Sequence, residues 1–216
     1  MSEALTTVVI QGGITKLAAT IETYADDLNE LDGVIGDGDL GVTMVRGVRE
    51  LVNQSPNLPD DVGGALLKCA QALTKVSGST FGTILATGLM GAAKVSKGRS
   101  AVPWNEMSIL LSQAIEGMAK RGRSKLGDKT VLDAIESVRQ AIEGLDNPIE
   151  IAITSDGAVA EALDMFRGKR AQQGRARIFG DKSIGIDDPG MVAFKKMTES
   201  FCKGLTSDTD VDMQGR

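Results

Sequence analysis

The stretch VIGDGDLGVTMVRG, Val34 to Gly47, decides which fold this chain adopts. Gly36, Gly38 and Gly41 keep the Gly-x-Gly-x-x-Gly spacing of a dinucleotide-binding turn, and Met44, Val45 and Val48 begin an apolar stripe at helical spacing just after it. Such a turn needs a strand before it and small or neutral residues against the pyrophosphate. Here the first two variable positions are Asp37 and Asp39, whose carboxylates would repel a pyrophosphate unless a doubly positive charge lay between them. The residues upstream do not form a strand pattern either. Ile14, Leu17, Ile21, Tyr24, Leu28 and Leu31 recur at three- and four-residue intervals, the period of one amphipathic helix running into the motif. The glycines therefore mark a sharp turn between helices and not the opening of an α/β nucleotide fold.

Similar stripes run over Val62 to Val76, Phe81 to Val95, Met107 to Met118, Val131 to Ile142, Ile151 to Phe166 and Phe194 to Leu205, which brings the expected total to about eight helices. Period-two alternation and hairpin signals are absent. QSPNLPDD, SKGRSAVP and EGLDNP supply the breaks, and such short connections imply antiparallel neighbours. The expectation is a single all-α domain over residues 1–216, a bundle or barrel of antiparallel helices, with a frayed tail from about 206 onward. Trp104, after Pro103, reads as a core anchor at a helix start.

Composition narrows the function. A chain of 216 residues with 42% hydrophobic and 25% charged residues can bury a full core. A net charge of −5 argues against general binding to nucleic acid or to an anionic membrane, either of which needs a basic face. No apolar run approaches the roughly 20 residues that span a bilayer, and no basic leader precedes an apolar segment, so the expected location is the cytoplasm. Cys69 and Cys202 lie far apart in apolar helical contexts, which suits buried reduced thiols. The chain has no histidine. That removes histidine bases, histidine triads and most transition-metal sites, and leaves oxygen ligands with hard cations such as Mg²⁺.

Four segments carry candidate chemistry. Asp32, Asp37 and Asp39 sit at the end of one helix and in the glycine turn before the next, where they can converge on a cation or serve only as helix caps and solvated charges. Ser77, Gly78, Ser79 and Thr80 precede an amphipathic helix and can cradle phosphate with backbone N–H groups and hydroxyls, or act as an ordinary cap. RSKLGDKTVLDAI is expected to begin a helix at Asp128, with Lys129 and Thr130 in its first turn. The longest irregular stretch, Arg167 to Gly190, gathers Arg167, Lys169, Arg170, Arg175, Arg177 and Lys182 and ends in Asp188-Pro189-Gly190, a helix-start signal. This stretch is expected to act as a lid. Carboxylates for a metal, a helix N-terminus for phosphates and a basic loop are together the parts of a phosphoryl-transfer site.

These segments, LDGVIGDGDLGVTM, SGSTFGT, GDKTVLDA and GRARIFGDKSIGIDDPG, resemble in order the nucleotide-binding L subunit of the dihydroxyacetone kinase family. The resemblance implies a barrel of eight antiparallel helices with ATP or ADP bound at one end. It places the family's metal-binding aspartates, which hold two Mg²⁺ ions, on Asp32, Asp37 and Asp39. The phosphate turn falls on Ser77, Gly78 and Ser79, the nucleotide pocket on Gly127, Asp128, Lys129 and Thr130 and on Asp188, Pro189 and Gly190, and the arginine facing the transferred group on Arg175. It also implies a separate K-type subunit that binds a small keto-sugar through a histidine, and a phosphocarrier protein as a possible donor. Two positions depart from the family's pattern: Leu40 stands in place of its histidine and Thr43 in place of its asparagine. A nucleotide-binding sensor that contacts a transcription regulator is the alternative function. The kinase domain of a fatty-acid kinase, which shares the fold and continues into further domains, is a third.

Overall fold

Helices form where the apolar stripes place them. The computed structural model describes residues 3–213, with side chains through 203. Its helices are α1 (Thr7–Ile21), α2 (Ala25–Ile35), α3 (Leu40–Gln54), α4 (Val62–Val76), α5 (Thr80–Ser96), α6 (Met107–Gly122), α7 (Val131–Ala141), α8 (Pro148–Arg167) and α9 (Pro189–Met213). The stripe from Ile14 to Leu31 is thus two helices and not one, because a 3₁₀ turn over Glu22–Tyr24 redirects the chain. A strand pair that alternation could not reveal, β1 (Ala4–Leu5) and β2 (Val102–Pro103), is only two residues long on each side and joins antiparallel. The tail expected to fray continues as helix to Met213, while its side chains and residues 214–216 lie outside the described residues.

Eight helices close a ring. Each of α3 to α8 packs on its successor, α9 packs on α1, and α1 packs on α3, with α2 laid between α1 and α3 at one end. Helices α5 and α6 approach closely enough that a methyl group on Gly91 would lie 2.4 Å from the Gln113 carbonyl oxygen. The core is divided among helix pairs: Ile21, Leu28, Met44 and Val48 pack α1, α2 and α3 together, and Val138, Val159, Phe166 and Met191 join α7, α8 and α9. Trp104, half-buried, packs on the α7–α8–α9 cluster and on a further one formed by Leu5, Val62, Val102 and Leu110. Because the ring alternates in direction, the connections α2–α3, α4–α5, α6–α7 and α8–α9 emerge at the same end. All four chemistry-bearing segments are those connections.

Candidate functional site

At that end the N-termini of α3, α5, α7 and α9 converge, each with backbone N–H groups not used inside the helix. The first connection shows how the aspartates are left available. Asp39 occupies the cap position of α3, yet its side chain caps nothing. The Asn29 side-chain oxygen performs that task, accepting from the N–H groups of Gly41 at 2.8 Å and Val42 at 3.3 Å. Asp32 organises the turn, accepting from the Gly38 N–H at 2.9 Å and the Asp39 N–H at 3.1 Å. Two glycines make this possible. Gly38 has φ +76°, and a methyl group on Gly41 would lie 2.0 Å from the Ala25 carbonyl oxygen.

As a result, carboxylate oxygens of Asp32, Asp37 and Asp39 lie within 4.8 Å of one another. Three hard anionic donors so close, two of them exposed, fit a divalent cation that takes carboxylates, water and phosphate oxygens. The Arg175 guanidinium forms an ion pair with Asp37, so the basic stretch reaches the trio.

The other segments meet around this point. Ser79 caps α5, accepting from the Gly82 N–H at 3.2 Å, and the Ser79 N–H donates to the Ser77 hydroxyl at 3.3 Å. A methyl group on Gly78 would meet open space. Thr43 and Met44 of α3 line one cavity of about 50 Å³ with Ser77, Phe81 and Gly82, which places the first turns of α3 and α5 side by side. Gly190, in the first turn of α9, packs so closely on Phe81 that a methyl group there would lie 3.2 Å from the ring.

The GDKT segment departs from its expected geometry. Helix α7 begins at Val131 and not at Asp128, because Lys129 adopts φ +63° and Thr130 becomes the cap. Asp133 completes this turn, accepting from the N–H groups of Thr130 at 2.8 Å and Gly127 at 2.5 Å. Burial raises its carboxyl above the usual aspartate range. Asp128 is 3% exposed and accepts from the Lys125 N–H at 2.9 Å, so its carboxylate serves its own loop. Asn29 and Asp133 were not among the sequence-derived candidates. The Thr130–Asp133 capping-box spacing signals the second, whereas nothing local links Asn29 to a turn twelve residues later.

The basic stretch is more ordered than a free lid. It contains a 3₁₀ segment, Ala176–Ser183, whose Phe179 and neighbouring Ala171 and Ile186 pack on Ile35 at the end of α2. Three of its six cations have partners away from the trio: Arg167 pairs with Asp164 and Asp187, Arg170 with Asp181, and Lys169 lies 3.7 Å from the centre of the Phe166 ring. At its close, Asp188 caps α9 through the Met191 N–H at 2.9 Å. Burial pushes the Asp188 carboxyl up to about 7, against the pull of that N–H and of Lys129. A concavity of about 540 Å³ lies at the opposite end beside Pro103, Trp104 and Asn147, away from all of these groups.

The DAK2 domain model matches residues 34–203, most of the chain, including Asp37, Asp39 and the other three segments, and begins two residues after Asp32. The chain belongs to the DAK2 domain family. Among DAK2 relatives, the ADP-binding subunit DhaL of the PEP-dependent dihydroxyacetone kinase of Escherichia coli is 30% identical over 192 residues, covering 86% of this chain and 91% of that one. The L-erythrulose 1-kinase of Mycolicibacterium smegmatis is 31% identical over 202 residues, which is 88% of this chain but 35% of that enzyme. Among solved structures a similar fold is seen in the dihydroxyacetone kinase of C. freundii in complex with AMP-PNP and Mg²⁺, with a TM-score of 0.71 at 20% identity, over 91% of this chain and 34% of that one. Among the described residues, no helix is long and apolar enough to cross a membrane.

Proposed function

We propose that this chain is the nucleotide-holding subunit of a keto-sugar kinase, which binds Mg-ATP or Mg-ADP at the end where α3, α5, α7 and α9 begin. The observation that carries the reading is the carboxylate trio within 4.8 Å, met by Arg175 and ringed by helix N-termini. Asp32, Asp37 and Asp39 would hold Mg²⁺, which neutralises phosphate charge when bound. Nucleotide phosphates facing three bare carboxylates would be strongly repelled, so metal and nucleotide bind together. The N–H groups of Gly78 and Thr80, with the Ser77 and Ser79 hydroxyls, would take the phosphates at the positive end of α5. On this reading Gly127, Thr130 and Pro189-Gly190 would border the same opening, and Asp128 and Asp188 would support it by fixing the turns before α7 and α9.

Arg175 exchanges Asp37 for the transferring phosphoryl group, offsetting charge where it develops. The acceptor is a small ketose such as dihydroxyacetone or a tetrulose, held by a separate K-type subunit. That the E. coli relative is named PEP-dependent and ADP-binding supports a cycle in which a phosphocarrier protein rephosphorylates bound ADP. Calorimetric titration with ADP in the presence and absence of Mg²⁺ tests the site. Asp37→Asn is expected to weaken Mg-ADP binding by more than the roughly 10–100-fold typical of losing an outer partner of a metal ligand, with helical content intact. Equal affinity with and without Mg²⁺, or unchanged affinity in Asp32→Asn, Asp37→Asn and Asp39→Asn, overturns the reading.

A further inference from the structure

We infer that Lys129 is a positioning residue for Arg175, clasping together the two ends of the segment that carries it; this rests on the role proposed above for Arg175. Lys129 is 1% exposed, and its ammonium donates to the carbonyl oxygens of Arg167 at 3.1 Å, Lys169 at 2.8 Å and Ser183 at 2.9 Å. An ammonium has three donors, and all three are used. Two acceptors lie where the segment leaves α8 and the third where it returns toward α9. The amide of Gly185 donating to the Arg167 carbonyl at 2.9 Å, and that of Ala171 to the Ser183 hydroxyl at 2.9 Å, close the same neck. From this neck the chain projects as a loop over residues 172–182, in which Arg175 pairs with Asp37.

The choice of a cation here follows from its neighbours. Three carbonyl oxygens converging on one buried point repel one another and need a donor with radial geometry, which a lysine ammonium supplies and an apolar side chain does not. Burial pulls the ammonium's pKa down, while Asp188 and Asp187 hold it up. The backbone at Lys129 is left-handed, at φ +63°, a conformation that a non-glycine residue adopts at a cost. That geometry sends the side chain from the α6–α7 connection into the neck of the α8–α9 connection. With the neck closed, Arg175 searches a short arc beside the trio; with it open, both ends of the loop part and the arc widens.

Lys129→Gly tests this, because glycine accepts the left-handed backbone and removes only the side chain, which n-butylammonium can replace. Lys129→Met is the second variant. Amide hydrogen exchange of the nucleotide-free protein is expected to quicken about tenfold or more at residues 169–185 with α4 and α5 unchanged, and n-butylammonium is expected to restore it in Lys129→Gly. Phosphoryl transfer to dihydroxyacetone, measured with the sugar-holding partner, is expected to fall roughly tenfold or more in Lys129→Gly but less than about twofold when the same change is made in Arg175→Ala. Unchanged exchange at 169–185, exchange quickened equally throughout the barrel, failure of both variants to fold, or losses that multiply with Arg175→Ala would each overturn the assignment. If the unsubstituted protein binds no Mg-ADP, the proposed function fails while the exchange result still decides whether Lys129 clasps the neck.

Discussion

At the scale of single residues, the groups that hold turns closed are distinct from those left facing outward. Asp128, Lys129 and Asp133 are 3%, 1% and 4% exposed and are spent on backbone partners, whereas Asp37, Asp39 and Arg175 face the opening. Leu40, which the resemblance sets against a histidine, is 5% exposed and packs with Met44 and Leu28, so here that position contributes to the core. Asp188 links such a turn to pH. Its carboxyl is raised by burial from 3.8 to about 7, so the folded state holds the proton more tightly than the unfolded chain. The resulting stability is complete below the unfolded value and is lost as pH rises through the folded one. Between about pH 5 and about pH 8 the melting temperature is therefore expected to fall more in the unsubstituted protein than in Asp188→Asn, whose amide oxygen can still cap the Met191 N–H. Parallel melting curves across that range would count against it.

At the scale of elements, the site depends on how closely α2 and α3 approach. Asn29 caps α3 only because Gly41 lets the backbone of α3 touch α2 at Ala25. Gly41→Ala places a methyl group 2.0 Å from the Ala25 carbonyl oxygen, which must push the two helices apart. The expected cost is ~1–3 kcal/mol in urea unfolding, accompanied by weaker Mg-ADP binding because the trio loses its common centre. Gly78→Ala is the matched control: its methyl group meets open space in this structure, so stability should hold. Equal stability of the two variants would show that the contact between α2 and α3 does not set the turn.

At the scale of the whole molecule, eight alternating helices collect four connections at one end, and the faces around that end are not uniformly polar. Val34, Val42, Leu126, Ile178 and Ile184 are 50%, 41%, 47%, 79% and 47% exposed on or beside these connections. Exposed apolar groups around a polar opening suit a protein partner that must bring an acceptor to the phosphoryl group. The resembled family holds its ketose through a histidine and this chain has none, so the proposed function assigns positioning of the acceptor to that partner. The isolated chain is expected to bind Mg-ATP yet form negligible dihydroxyacetone phosphate, since fixing an acceptor in place is worth effective molarities of about 10⁵ M or more. Robust product formation by the chain alone, followed by enzymatic assay of the phosphorylated sugar, would refute the need for a partner.

The amino-acid sequence by itself determined the all-helical class, most helix positions and the four segments that matter, because apolar periodicity, breaks at Pro and Gly, and the clustering of Asp, Ser and Arg are local properties of the chain. It also carried the absence of histidine and, through it, the oxygen-ligand chemistry. The break at Glu22–Tyr24 was hidden, since the stripe of Ile14 to Leu31 keeps its period across the 3₁₀ turn. Closure of the ring, the role of Asn29 in freeing Asp39, and the burial of Lys129 against three carbonyls were decided only by tertiary structure. Each joins groups far apart in sequence: Asn29 acts on a turn twelve residues away and Lys129 on Ser183, fifty-four residues away. Their partners are backbone atoms, whose availability depends on how the chain folds and not on which side chains it carries.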